Sequence, residues 1–139
     1  MATLEELRQI VEENGALEGW NFSRVNIEYD PVPWEYTKIV RSYLKPDHRV
    51  LDIGTGGGEI FLSLSSHFGK GIGIDMYPEM IETARANQSR MGVTNIKFVE
   101  MEGSNLHFGK DEFDIVLLRH LQVYVREIVC VLRPGGTFI

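Results

Sequence analysis

From Arg49 onward, short apolar runs alternate with amphipathic stretches, the rhythm of strands joined by crossover helices. Arg49 to Ile53 reads as a first strand, Glu59 to Phe68 as a helix with Ile60, Phe61, Leu64 and Phe68 on one face, and Gly71 to Asp75 as a second strand. Pro78 to Met91 follows as a helix with Ile81, Ala84 and Met91 inward, opened by proline and closed by Gly92. Ile96 to Glu100 is a third strand, and Phe113 to Leu118, almost wholly apolar, a fourth that should be buried on both faces. Val123 to Leu132 suits a short helix, Pro134-Gly135-Gly136 a turn, and Thr137 to Ile139 the start of a fifth strand.

Upstream, Thr3 and Glu6 form a capping box before the stripe Leu4, Leu7, Ile10, Val11, which stops at Gly15. Trp20 to Pro33 has aromatics and prolines but no period, so an ordered loop is expected. A further helix starts at Trp34, with Ile39, Val40, Tyr43 and Leu44 on one face, and Pro46 ends it. The pattern therefore divides the chain into residues 1–33, a helix and loop, and residues 34–139, an α/β domain with a doubly wound, mainly parallel sheet. Ligands of such sheets sit at the carboxyl ends of the strands, near the point where strand order reverses.

The first strand runs into Asp52-Ile53-Gly54-Thr55-Gly56-Gly57-Gly58-Glu59, which gives three alternate glycines to one strand-to-helix turn. A phosphate loop needs Lys-Ser/Thr after its last glycine, and Glu59-Ile60 stands there instead. The dinucleotide fingerprint would place its third glycine at Glu59, where a carboxylate would face a pyrophosphate. The dinucleotide class is thereby weakened, and carboxylates at such a turn would be welcome neighbours of a cation. Asp75 ends the second strand 21 positions after Gly54, the place from which a carboxylate accepts both ribose hydroxyls of an adenosine. Met76 beside it can pack on the adenine face.

Composition narrows the partners. In 139 residues, 43% hydrophobic, there is core enough for one domain, and a net charge of −6 lacks the basic footprint of a nucleic-acid binder. Cys130, the single cysteine, sits among Val129, Val131 and Leu132 and is expected as a buried core thiol. No run has membrane-spanning length and the start lacks a signal-peptide pattern, so the cytoplasm is the default. His48, His67 and His107 lack ligand spacing, and no metal site is expected.

With the glycine turn, three further strings are informative: Glu102-Gly103-Ser104-Asn105-Leu106-His107-Phe108, Phe113-Asp114-Ile115-Val116 and Leu132-Arg133-Pro134-Gly135-Gly136. Together, and in this order, they resemble the class I S-adenosylmethionine-dependent methyltransferases. The resemblance implies a Rossmann-like sheet with the third strand at one edge, followed in space by the second, first, fourth and fifth. It implies S-adenosylmethionine as cofactor, held by Asp52, Gly54, Thr55, Gly56 and Gly58 in the turn. Asp75 and Met76 would serve the adenosine, and Glu102 and Gly103 the adenine edge; Arg119 is placed among the cofactor residues, where it can bind an anionic acceptor or bridge to Asp52 or Glu102. The family's segment carries Asp where Glu102 stands. Asp114 and the Pro-Gly-Gly turn have structural roles, with Asp114 anchoring a strand start.

Arg119-His120 falls just past the fourth strand, where sulfonium and acceptor meet in this fold. Methyl transfer is an in-line displacement driven by alignment and desolvation, so the protein has to position a nucleophile and take its proton. His120 is the candidate base, the alternative being that it orients the loop or hydrogen-bonds the cofactor. Gly19-Trp20-Asn21-Phe22-Ser23 and Pro31-x-Pro33-Trp34-x-Tyr36 are similar to the front end of a bacterial subgroup with the same Arg-His, in which this segment looks like a lid over the cofactor cleft. The family's sheet continues beyond the fifth strand, where this chain stops, so an open strand edge and self-association are expected. The expected function is methyl transfer from S-adenosylmethionine to a small-molecule acceptor. A nicotinamide-dependent oxidoreductase and a non-catalytic S-adenosylmethionine-binding domain stand as alternatives.

Overall fold

The computed structural model describes residues 35–139 and Gln9, which is helical and exposed. The helix and capping box expected before Gly15, the loop from Trp20 to Pro33, the lid-like role of residues 1–33 and the helix start at Trp34 lie outside the described residues. Helix α1 spans Tyr36–Tyr43, strand β1 Arg49–Ile53, helix α2 Glu59–Ser63 and strand β2 Lys70–Asp75. Helix α3 spans Pro78–Met91, β3 Ile96–Glu100, β4 Phe113–Leu118, α4 Val125–Val131 and β5 Leu132–Phe138. The strands form one parallel sheet in the order β3-β2-β1-β4-β5, as the resemblance implies. The order reverses between β1 and β4, so the carboxyl ends of these two strands flank the switch point.

Both faces of the sheet are covered. On one, Val50, Ile115 and Leu117 pack with Val40, Phe61, Leu62 and Ile81, and on the other Leu51, Ile53 and Val116 pack with Ile128 and Val131. In register, Asp52 pairs with Gly73 of β2 and Leu117 of β4, and Asp75 pairs with Glu100 of β3. The acids that end β1 and β2 are thereby set on neighbouring strands. Asp114 fastens the opposite end of the sheet: its Oδ2 accepts the Arg49 backbone N–H at 2.7 Å, and its Oδ1 is ion-paired with Arg133 of β5.

Several expectations are corrected. The helix after the glycine turn stops at Ser63 and tightens into a short 3-10 turn at Ser65–His67. Ser63 Oγ donates to the Ile60 carbonyl at 2.6 Å, and the serine-rich run that follows favours such local bonds over a continued helix. Met91, expected inward, is 53% exposed, and Asn87 takes the buried position one turn earlier. In α1, Val40 is buried with Tyr36 and Leu44 packed beside it, while Ile39 and Tyr43 are exposed. Cys130 is exposed, because α4 turns Ile128 and Val131 inward and leaves Val129 and Cys130 on its outer side. An apolar neighbourhood in sequence is not one face of a helix. Finally, β5 starts at Leu132, which pairs with Phe113, and Pro134-Gly135-Gly136 is a bulge within the strand before Thr137 pairs with Ile115.

Candidate functional site

At the end of β1 the chain enters three left-handed glycines, Gly54 at φ 71°, Gly56 at 58° and Gly58 at 74°. Side chains rarely adopt this region, so the turn requires glycine for its backbone alone. Space adds a second reason at Gly58, where a Cβ would fall 2.7 Å from the Phe98 ring. Thr55, buried, donates its N–H to the Ile74 carbonyl at 2.8 Å and accepts the Gly58 N–H at 3.0 Å. The Asn87 side chain donates to the Gly57 carbonyl at 2.9 Å, so α3 grips the turn from behind.

Asp75 closes the turn from β2. Its Oδ2 accepts the Gly56 N–H and its Oδ1 the Tyr77 N–H, each at 3.0 Å. A carboxylate has further lone pairs, so these bonds fix its orientation and leave acceptor capacity for hydroxyls at the strand end. Met76 is beside it and exposed. Beyond β3, Met101 donates its N–H to the Asp75 carbonyl at 3.0 Å, which brings Glu102 and Gly103 next to the end of β2. Glu102 is exposed, with its carboxylate accepting from Ser104 Oγ at 3.3 Å. A Cβ on Gly103 would fall 2.9 Å from Ile53 Cγ2, with the Tyr124 ring behind. Glu127 of α4 accepts the Leu106 N–H at 2.7 Å and ties this segment down.

The electrostatic centre is Asp52. Burial is the chief cause that pushes its carboxyl up to about 6; the Thr55 hydroxyl and the Arg119 charge oppose this, and Asp75 adds to it. Arg119, just past β4, has its guanidinium carbon 4.9 Å from the centre of the Tyr36 ring. Burial foremost, then the Asp52 charge, pushes the Tyr36 phenol up to about 12, against the lowering effect of Arg119. His120 is exposed, at φ 58°, and next to it Leu121 packs on Gly54.

The structure thus gathers the expected Asp52, Gly54, Thr55, Gly56, Gly58, Asp75, Met76, Glu102, Gly103 and Arg119 around the carboxyl ends of β1 to β4. His120 lies at the margin, towards solvent. Sequence reading missed Asn87, Leu121, Tyr124 and Glu127 as parts of this site, and noted Tyr36 only within the lid-like string. Only Tyr36 and Leu121 carried a local signal, the first within the Pro-x-Pro-Trp-x-Tyr string and the second next to Arg-His.

An adenosylated sulfonium amino acid fits these residues. The glycine turn offers backbone without side chains, and buried Asp52 is a carboxylate that a cation relieves. The Glu59 carboxylate lies back along Gly57, which puts negative charge where a dinucleotide's pyrophosphate would have to rest.

Comparison with known proteins agrees with this geometry. The methyltransferase domain family matches residues 50–136. The uncharacterized methyltransferase YcgJ of Bacillus subtilis is 35% identical over 68% of this chain and 40% of its own length. Its crystal structure superposes with a TM-score of 0.69, at 33% identity over 73% of this chain and 47% of that one. A methyltransferase from Thiobacillus denitrificans, solved with S-adenosyl-L-homocysteine, superposes with a TM-score of 0.62, at 26% identity over 84% of this chain and 51% of that one. The chain spans less than half the length of the curated relatives it matches. It is a member of the class I S-adenosylmethionine-dependent methyltransferases, with S-adenosylmethionine as the cofactor.

Proposed function

We propose that this chain binds S-adenosylmethionine at the carboxyl ends of β1 to β4 and forms the cofactor-binding part of an enzyme that methylates a small-molecule acceptor. The observation that carries the reading is Asp75, whose carboxylate is pinned at the end of β2 by the Gly56 and Tyr77 N–H groups and keeps acceptor capacity that suits ribose hydroxyls. S-adenosylmethionine supplies an electrophilic methyl group on a sulfonium. Asp75 accepts from the ribose hydroxyls, and Gly54, Thr55, Gly56 and Gly58 let the backbone approach closely. Asp52 receives the ammonium and Arg119 the carboxylate of the amino-acid end. Gly103 and Glu102 face the adenine edge, with Met76 on its plane. His120 is the candidate proton acceptor for the nucleophile, and its left-handed backbone, uncommon outside glycine, is the strain that functional loops carry. The charge of −6 favours a small acceptor over nucleic acid, and the cytoplasm is the compartment we infer.

Asp75→Ala should weaken binding of S-adenosylhomocysteine by roughly 1.5 to 3 kcal/mol in calorimetry, through lost hydrogen bonds to the ribose and a Gly56 N–H left without its carboxylate. Unchanged affinity in a folded variant would remove Asp75 from the site, and binding of NAD in place of S-adenosylhomocysteine would restore the oxidoreductase reading. Methyl release from labelled cofactor by a longer form of the protein separates an enzyme from a domain that only binds.

The outer edge of β5 pairs with no other described strand, and Phe138 there is exposed, as are Val125 and Val129 of the neighbouring α4. We therefore expect this chain to self-associate as its concentration rises, read by sedimentation. A monodisperse monomer at high concentration would mean that the edge is protected.

A further inference from the structure

Tyr36, which opens α1, and Arg119, which follows β4, touch near the carboxyl end of β1, where Asp52 lies close enough to feel the charge of Arg119 and to act on Tyr36. The guanidinium carbon of Arg119 stands 4.9 Å from the centre of the Tyr36 ring, within the range where a cation is held by an aromatic face. His120 follows, exposed at φ 58°, and among the described residues the Tyr36 ring is what the Arg119 guanidinium is seen to rest on.

We propose that Tyr36 is a positioning residue for the cofactor site: its ring holds the Arg119 guanidinium on the Asp52 side of the strand ends, and so sets where the cation and the carboxylate that receive the charged amino-acid end of the cofactor stand. The proposal rests on the S-adenosylmethionine reading for its ligand, but the seat itself is a property of the free protein. A flexible arginine at a half-open edge gains entropy by swinging into water, and a flat, partly desolvated ring is a counterweight that leaves its donors free for carboxylates. The Tyr36 ring keeps that character at working pH, since its phenol stays neutral.

Asp52 reports on the seat. It faces Arg119 past β4, Asp75 at the end of β2, the Thr55 hydroxyl in the turn and Tyr36 from α1. Arg119 is the positive charge among these, and it favours the ionised carboxylate, while burial and Asp75 oppose it. An arginine released from Tyr36 lets Asp52 take up its proton nearer neutrality, and a neutral Asp52 is a poorer host for an ammonium.

The experiment is a carbon-13 titration of the Asp52 carboxyl in the free protein, with no cofactor present. The wild-type midpoint should lie near 6. In Tyr36→Leu it should rise by about one pH unit, Arg119→Gln should raise it similarly, and the double variant should rise no further. Tyr36→Phe keeps the ring and should keep the wild-type midpoint. A midpoint unmoved in Tyr36→Leu, or raised equally by Tyr36→Leu on the Arg119→Gln background, overturns the proposal, as does Tyr36→Phe behaving like Tyr36→Leu. If Tyr36→Leu does not fold, Tyr36→Met removes the ring and fills more of its space, and a midpoint unmoved in that variant, or unmoved by Arg119→Gln, sinks the seat. Calorimetry at pH 7 then reads the consequence, with S-adenosylhomocysteine bound about five- to tenfold more weakly by Tyr36→Leu and within about twofold of wild type by Tyr36→Phe. A wild type that ignores S-adenosylhomocysteine defeats the cofactor reading, and the titration still decides the seat.

Discussion

Gly56→Val should abolish binding of S-adenosylhomocysteine while leaving the helical circular dichroism close to wild type. Gly56 sits at φ 58° and donates its N–H to Asp75 at 3.0 Å, so one residue sets both the shape of the turn and the aim of the ribose acid. An L-residue in this region costs roughly 1 to 2 kcal/mol, and a β-branched one more. The variant either holds the strained turn, with an isopropyl group in the cofactor's space, or flips the peptide and breaks the bond to Asp75. Both outcomes remove affinity, by at least about a hundredfold. The helices are buried against the sheet by residues outside the turn, so their signal survives. Gly135→Val is the control: Gly135 is also left-handed, at φ 77°, but it lies in the β5 bulge with open space around it. Its backbone strain falls away from the site, and binding should persist. Normal binding by Gly56→Val would reduce the glycine string to a plain strand-to-helix turn.

The contrast between these two glycines shows what could be read from the sequence. β1, α3, β3 and β4 have the bounds expected from the pattern, because each is an apolar run or stripe bounded by a glycine, a proline or a change of period. Asp52, the glycines and Asp75 were legible because their chemistry and their spacing are local. β5 was misplaced, since Pro134-Gly135-Gly136 carries the composition of a turn and only pairing with β4 shows that the strand runs through it. Asn87, Tyr124 and Glu127 were invisible for the same physical reason. Each acts on a segment distant in sequence, Asn87 on Gly57, Tyr124 on Gly103 and Glu127 on Leu106, and no periodicity within a helix records such a partner. Tyr36 and Arg119 show it most plainly, since two strings noted separately in the sequence meet in one contact.

Asp52→Asn should make the protein more stable at neutral pH and a worse binder, and the pH dependence identifies the cause. Folding raises the Asp52 carboxyl from an ordinary 3.8 to about 6, chiefly by burying it. A carboxyl raised on folding favours the folded state in its neutral form, so its contribution is intact below about pH 4 and is lost as the pH climbs through 6. At pH 7 to 8 the wild type therefore holds an ionised, buried carboxylate at a cost of at most about 3 kcal/mol. Asparagine has nearly the same shape without the charge. In urea unfolding, Asp52→Asn should gain roughly 2 to 3 kcal/mol over wild type at pH 8, and the gain should shrink towards zero near pH 4. The gap should narrow when ligand is added: S-adenosylhomocysteine brings an ammonium that compensates the carboxylate of the wild type and finds only an amide in the variant, and an affinity lower by about tenfold takes about 1.4 kcal/mol off the variant's advantage at saturation. A stability difference that does not change with pH would show that Asp52 titrates normally in the folded protein. A variant that gains stability and also keeps its affinity would place the ammonium elsewhere in the site, leaving Asp52 as a buried charge with no function in binding.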